Sequence, residues 1–170
     1  MDGKNYINGA FVNGSAGGRF ESRNPANSDE LLGTFSLSSE KDVNDAVSAA
    51  QGAYDSWRRL SRIKRGEYLD EFAQLLKKDK EELSRLVTME CGKGIVEGRA
   101  DVTEGIHMVQ YVCGTVRMPH GDVIDSEIPE KDAFLRRKPK GIVAAITPWN
   151  FPFAIPLWLL CPSIAEGNTV

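Results

Sequence analysis

The fold of this chain is decided by residues 141–152, which read Gly141-Ile142-Val143-Ala144-Ala145-Ile146-Thr147-Pro148-Trp149-Asn150-Phe151-Pro152. The first half is a short, continuous apolar run rich in β-branched residues, which is typical of a strand buried on both faces of a parallel sheet. The second half ends this strand with a proline, presents one tryptophan and one asparagine, and closes with a second proline. The stretch therefore predicts an α/β fold with a rigid loop at the carboxyl end of a strand.

This loop is a candidate site, because ligands of open α/β sheets bind just beyond the carboxyl ends of the strands. Asn150 lies between two prolines whose φ angles are fixed, so its amide is aimed in one direction and offers two N–H donors. Such a donor can hold an oxygen that gains negative charge during a reaction. A proline-bounded turn with Trp149 as core filler is the competing structural interpretation.

The segment from Thr147 to Pro152 resembles the signature of the NAD(P)-dependent aldehyde dehydrogenase superfamily. Six matched residues in a strand-to-loop context favour this interpretation over the simple turn. Residues 6–11 are similar to the opening Ile-Asn-Gly motif of the family, and residues 88–93 resemble its Glu-x-Gly-Lys segment. The longer run to Val170 resembles the branches that oxidise semialdehydes.

The resemblance implies the N-terminal part of a doubly wound, Rossmann-like cofactor-binding domain with a protruding β-hairpin. Residues 1–118 would form the N-terminal part of that domain, residues 119–140 an oligomerisation hairpin, and residues 141–170 the first, incomplete βα unit of the sheet. We expect the chain to be an N-terminal portion of a longer protein, because the resemblance covers only about the first third of a family member.

The reaction implied is the oxidation of an aldehyde, for which we expect a small semialdehyde, to a carboxylic acid with NAD or NADP as cofactor. A cysteine acts as nucleophile, a glutamate activates water, and hydride passes to the cofactor. By resemblance, Asn150 is the catalytic oxyanion donor. The residues implied to line the nicotinamide-ribose part of the cofactor site are Ile146, Thr147, Pro148, Trp149 and Asn150.

The catalytic cysteine and glutamate of the family are missing from these residues, since none of the three cysteines matches the family motif. Cys91 lies near Lys93, but it also lies at the predicted end of a helix, which disfavours a thiolate. Leu159 stands where the family usually has a lysine, which puts a polar role for this position in doubt. A non-catalytic module that only binds a partner chain is therefore the alternative function.

The composition excludes several other classes of function. A net charge of −3 argues against a nucleic-acid surface. Three cysteines without CxxC spacing predict neither a disulfide framework nor a zinc site, and the two histidines lack a second metal ligand at suitable spacing. Residues 151–165, the longest apolar stretch, are too short and too proline-rich to cross a membrane. Without a recognisable signal peptide, we expect a cytoplasmic protein with a small-molecule substrate.

The remaining pattern predicts two hairpins, then helices, then a third hairpin. The first hairpin turns at Asn8-Gly9, and the second pairs residues 20–24 with 31–36 across a turn at 25–29. The first helix begins after Ser39 with Asp42 completing a capping box. Further predicted helices cover residues 63–91, divided by a cap at Asp79 and ended by Gly92, residues 100–118, and residues 153–166, the last kinked by Pro156 and Pro162. The hairpin 121–138 is polar, and the resemblance implies that it pairs with a partner subunit in a homo-oligomer.

Overall fold

Twelve elements follow one another in the computed structural model, which describes residues 1–170. They are β1 (Asp2–Gly3), β2 (Asn5–Ile7), β3 (Ala10–Val12), β4 (Arg19–Asn24), β5 (Asn27–Ser36), α1 (Glu40–Arg59), α2 (Arg62–Lys78), α3 (Lys80–Cys91), α4 (Ile95–Thr115), β6 (Gly121–Ile124), β7 (Ala133–Arg136) and α5 (Ala154–Ala165). None of these helices combines the length and the apolar character that crossing a membrane requires. The mixed α/β class predicted from the sequence is confirmed.

The strands form one three-stranded sheet in the order β1-β5-β4 and two separate hairpins, β2–β3 and β6–β7. The turn between β2 and β3 is confirmed, with positive φ angles of 50° at Asn8 and 79° at Gly9, as a tight hairpin requires. The second hairpin has a shorter turn than predicted, because Asn24 already pairs with Asn27. The two-residue strand β1, which runs parallel to β5, was not predicted.

The capping box of α1 is confirmed and carries more contacts than expected. The Asp42 carboxylate accepts the backbone N–H of Ser39 at 2.7 Å and the backbone N–H of Ser15 at 2.9 Å. These donors lower the pKa of Asp42 to about 2. The contact with Ser15 joins the start of α1 to the loop that follows β3. The helical spacing of Val43, Val47 and Ala50 predicts one buried face of α1, but Val43 and Val47 are exposed and only Ala50 of the three is buried.

The division between α2 and α3 at Asp79 is confirmed, but the predicted side-chain cap is wrong. Asp79 still donates its backbone N–H to Leu75 at the end of α2, and its φ of −96° and ψ of 11° are not extended. A capping side chain needs the extended conformation, so the Asp79 carboxylate makes no capping hydrogen bond. Gly92 ends α3 with a left-handed φ of 68°, as predicted.

The apolar core is built around α4, which packs against α2, α3 and α5. The helix begins at Ile95, five residues before the predicted position, because the Glu97 carboxylate accepts the Gly94 N–H and stabilises an earlier first turn. Helical spacing predicts that Val102, Ile106, Val109 and Val112 share one side of this helix, and all four are buried. The buried core consists of Leu69, Ala73, Leu76, Val87, Val102, Ile106, Val109, Val112, Val116, Leu157, Cys161 and Ala165.

The predicted strand at residues 141–146 is only partly formed, and the expectation that both of its faces are buried is wrong. Its pairing is a single parallel bridge between Ile142 and Thr169, in which Val143 donates to Thr169 at 2.8 Å. Residues along it alternate between half-buried and exposed, because a single bridge and one covered face cannot enclose a central strand. The bridge nevertheless places the segments before and after α5 side by side, as a βα unit requires.

The helix α5 spans Ala154–Ala165, close to its predicted range, and tolerates both prolines. Pro156 lies in the first turn, where backbone N–H groups have no acceptor within the helix. The apolar side of α5, formed by Ala154, Leu157, Cys161 and Ala165, is buried. Its neighbour in the core is α4, so the loop preceding α5 is carried by the most buried part of the molecule.

Close packing between α3 and α4 predicts opposite effects at two glycines of α4. A methyl group at Gly98 would lie 2.6 Å from the Ser84 carbonyl oxygen, whereas one at Gly114 would meet no atom within 4 Å. We expect Gly98→Ala to destabilise the fold by about 1–3 kcal/mol through overpacking. Gly114→Ala should stabilise it by about 0.5–1 kcal/mol through helix propensity. Urea unfolding followed by circular dichroism measures both, and equal effects at the two glycines would contradict this account of the packing.

Candidate active site

The loop between the partly formed strand and α5 is held through three backbone carbonyls. The Trp149 carbonyl accepts the Cys91 thiol at 3.6 Å, and the Asn150 carbonyl accepts the Lys93 ammonium at 2.9 Å. The Phe151 carbonyl accepts the N–H of Ile155 in the first turn of α5 at 3.2 Å. The end of α3, Lys93 just after it and the first turn of α5 therefore restrain this loop together.

Asn150 presents its side chain to solvent while its backbone is restrained. The residue is exposed, and its side-chain amide makes no hydrogen bond within the chain. Both N–H donors of the amide are consequently available to a ligand. A restrained backbone with a free amide is the geometry that a preorganised donor to a developing negative charge requires.

Lys93 and Asp101 form a largely buried ion pair beneath the loop. Their Nζ and Oδ2 atoms lie 3.4 Å apart, and the exposed fractions of the two side chains are 16% and 0%. The second carboxylate oxygen of Asp101 accepts the backbone N–H of Ala154, the first residue of α5, at 2.8 Å. Lys93 also lies over the Phe151 ring, 4.9 Å from its centre. Burial of a lone carboxylate would cost free energy, and these contacts offset that cost for the buried side chain of Asp101.

The predicted cofactor residues follow one another along an exposed edge that continues to Asn150. Ile146 is 96% exposed and Trp149 is 61% exposed, while Pro148 is exposed and Thr147 half-buried between them. This largely apolar edge offers a surface on which the flat nicotinamide ring of NAD or NADP would pack. The start of α5 does not fit the phosphates, because the Asp101 carboxylate already accepts its first N–H and would repel a second anion.

The three cysteines lack the features of an activated nucleophile. Burial raises the pKa of Cys91, although nearby Lys93 opposes the shift, and burial likewise raises the pKa of Cys113. Cys161 is buried in the core, where desolvation raises its pKa to about 11. A thiolate is the reactive form of cysteine, so none of these thiols is prepared for attack on a carbonyl at neutral pH.

Other groups add no further chemistry to the loop. The structure contains no cluster of three or more His, Cys, Asp or Glu side chains placed to hold a metal ion. Leu159, at the position where the resemblance implied a lysine, is an exposed side chain on α5. Its carbonyl oxygen accepts the Ser163 hydroxyl at 2.6 Å, which is an interaction within the helix.

Sequence reasoning missed Lys93 and Asp101 as parts of this site. The Gly-Lys segment was noticed for its resemblance, but only Cys91 was weighed as a reactive group there. Asp101 carried a usable signal, because it is a charged residue beside Val102 on the buried side of α4. Charged residues are almost never fully buried unless they are paired, so its position in the pattern called for a partner.

Comparisons with known proteins identify the family of this chain. The model of the aldehyde dehydrogenase family matches residues 11–170. The chain belongs to the aldehyde dehydrogenase family. It is 37% identical to the alpha-ketoglutaric semialdehyde dehydrogenase of Bacillus subtilis over 166 residues, which are 98% of this chain and 34% of that protein. It thus spans about a third of the length of the curated relatives that it matches.

Solved structures of nicotinamide-dependent enzymes share the fold. A betaine aldehyde dehydrogenase of Staphylococcus aureus in complex with NAD+ superposes with a TM-score of 0.91 at 31% identity, covering 97% of this chain and 33% of that one. An NADP-dependent enzyme of E. coli gives a TM-score of 0.91 at 29% identity, covering 96% of this chain and 34% of that one. Both nicotinamide cofactors therefore occur among the structural neighbours of this family member.

The raised thiol pKa values predict slow, strongly pH-dependent alkylation. Since only the thiolate reacts, iodoacetamide should modify Cys91 and Cys113 slowly at pH 7, with rates that rise roughly tenfold per pH unit toward pH 9. Cys161, with its pKa near 11, should react slowest of the three. Peptide mass spectrometry after timed alkylation measures each rate, with free cysteine as the reference compound. A cysteine that reacts at pH 7 faster than free cysteine would contradict this assignment.

Proposed function

We propose that this chain supplies the oxyanion-binding, nicotinamide-facing loop of an NAD(P)+-dependent aldehyde dehydrogenase, with a semialdehyde as the substrate. The observation that carries the proposal is the Asn150 amide, which is free and exposed while Lys93 holds its backbone carbonyl at 2.9 Å. The substrate class is supported by relatives such as the semialdehyde dehydrogenase of Bacillus subtilis. The net reaction converts an aldehyde, water and NAD(P)+ into a carboxylic acid, NAD(P)H and a proton.

Asn150 acts on the carbonyl oxygen of the aldehyde. When a thiolate adds to the carbonyl carbon, that oxygen becomes an alkoxide, and the Asn150 amide donates a hydrogen bond to it. The restrained backbone limits the reorganisation that the donor needs as charge develops, which is the source of its contribution to the rate. Ile146, Thr147, Pro148 and Trp149 would hold the nicotinamide-ribose end of the cofactor, which would supply the acceptor for the hydride.

The nucleophile and the base that activates water lie outside these 170 residues. The raised pKa values of all three thiols support this part of the proposal. The length of the relatives, about three times that of this chain, supports it as well. The residues described here then contribute one wall of the active site, and a longer polypeptide contributes the other.

Asn150→Ala tests the proposed donor in the protein expressed from its complete reading frame. Loss of one oxyanion donor should lower kcat by about 100- to 1000-fold, while KM changes little because the donor acts mainly on the transition state. NADH or NADPH production from a panel of short semialdehydes measures both constants. Asn44→Ala, at an exposed site on α1, is the matched control and should be fully active; unchanged turnover in Asn150→Ala would remove the asparagine from this role.

The same assay separates the enzyme from the alternative of a non-catalytic module. We expect no NADH or NADPH production by the isolated 170-residue chain, because it carries no activated nucleophile. The complete protein should turn over at least one semialdehyde in the panel. Robust turnover by the isolated chain would overturn the placement of the nucleophile, and an inactive complete protein would favour the non-catalytic module.

The hairpin β6–β7 is the proposed contact with a second copy of the chain. Its main contacts are those between its own two strands, and its apolar side chains include Val123, 74% exposed, and Phe134, 73% exposed. An isolated two-stranded ribbon is marginally stable without a covering surface. Phe134→Ser should therefore shift the complete protein toward the monomer in analytical ultracentrifugation, whereas Tyr111→Ser, at an exposed site on α4, should not. An unchanged sedimentation coefficient for Phe134→Ser would exclude this hairpin as the interface.

A further inference from the structure

We propose that Lys93 and Asp101 are positioning residues that orient the Asn150 amide, an inference that rests on the proposed function of that asparagine. The pair restrains residues 150–154 at both ends. Lys93 donates to the Asn150 carbonyl at 2.9 Å, and Asp101 accepts the Ala154 N–H at 2.8 Å. The two side chains are themselves paired at 3.4 Å, so one ion pair determines both the donor loop and the start of α5.

The Asn150 backbone depends on this pair because few other contacts restrain it. Its N–H takes part in no backbone hydrogen bond, and the residues from Ala144 to Asn150 belong to no strand or helix. Pro148 supplies a fixed φ but lacks an N–H donor. Lys93 is therefore the one charged group that contacts the peptide group after the Asn150 Cα. This contact sets the backbone orientation from which the Asn150 side chain projects.

The surroundings of Lys93 restrict the ammonium to one position. The side chain is only 16% exposed, its charge lies over the Phe151 ring, and its carboxylate partner is fully buried. The neighbouring Gly92 has a left-handed φ of 68°, and a methyl group there would lie 2.9 Å from the Pro25 ring. The base of the lysine is thus held between the end of α3 and the turn of the β4–β5 hairpin.

The pair acts through Asn150 and touches neither substrate nor cofactor. Displacement of a reacting group by about 1 Å can cost on the order of 100-fold in rate, so loss of the pair should reduce kcat more than KM. A residue with a purely structural role would instead lower the activity of every variant by the same factor. The two roles are separable because the effect of a positioning residue disappears once the group that it positions is removed.

The test uses Lys93→Met combined with Asp101→Asn, in the complete protein and in the Asn150→Ala background. Removal of Lys93 alone would leave the Asp101 charge buried without its partner and threaten folding. In the double variant, the amide that replaces the carboxylate keeps an oxygen for the Ala154 N–H without a buried charge. Lys78→Met, at an exposed site in the last turn of α2, is the matched control.

The double variant should lose about 10- to 100-fold in kcat with KM within about threefold of the parent. In the Asn150→Ala background, the same two changes should cost less than about threefold, and Lys78→Met should have no effect in either background. A native-like kcat for the double variant, or an undiminished loss in the Asn150→Ala background, overturns the positioning role. Full activity of Asn150→Ala alone overturns the proposed function and this inference together, so the two failures are distinguishable.

Discussion

Burial of α4 is the constraint on which the rest of the structure depends. The helix contacts α2, α3 and α5, and Val102 and Val109 on its inner side have no exposed surface. Close approach at Gly98 and Gly105 brings neighbouring backbone and side chains directly against it. Dispersion contacts of this density tolerate little displacement. The first turns of α4 consequently provide a rigid base for a charged group.

That charged group transfers the rigidity of the core to an otherwise loosely held loop. Asp101 is part of the packed helix, yet its two carboxylate oxygens contact Lys93 and the first N–H of α5. The ion pair is not required for the stability of such a core, because apolar residues can fill similar space as favourably. Its value lies in specifying where the loop runs, which apolar packing alone would leave less defined.

Local patterns in the sequence were sufficient for elements whose causes are local. The Asn8-Gly9 turn, the Ser39–Asp42 capping box and the terminal Gly92 depend on neighbouring residues, and all three are confirmed. The predicted cap at Asp79 is absent because Asp79 also ends α2, and its backbone there is not in the extended conformation that a capping residue needs. The prediction of a fully buried strand at 141–146 was wrong for a different reason. An apolar run indicates that a segment is suited to burial, but it does not indicate which elements cover it. The apolar face of α1 is a similar case.

The candidate site divides in the same way. Asn150 and the exposed edge from Ile146 to Trp149 were recognised from a contiguous motif. Lys93 and Asp101 were not recognised, because both act on this loop from distant parts of the sequence. Lys93 contacts the Asn150 carbonyl 57 residues away, and Asp101 acts through the first N–H of α5. Spacing along a helix predicts which residues share a face, but it does not predict which distant loop a buried carboxylate will meet. The domain boundaries predicted after residues 118 and 140 remain predictions. Residues of α4 and α5, which lie on either side of these boundaries, belong to one core.

The connection between α3 and α4 has a consequence for how this fold can change in length. Only residues 92–94 join the two helices, and they place Lys93 between a left-handed glycine and the residue whose N–H the Glu97 carboxylate accepts. One inserted residue would turn the lysine away from the loop, however well the helices still packed. The exposed segment between β6 and β7 has no such relation to the site. We therefore expect the fold to accept insertions and deletions more readily at the hairpin tip than in the three-residue connection.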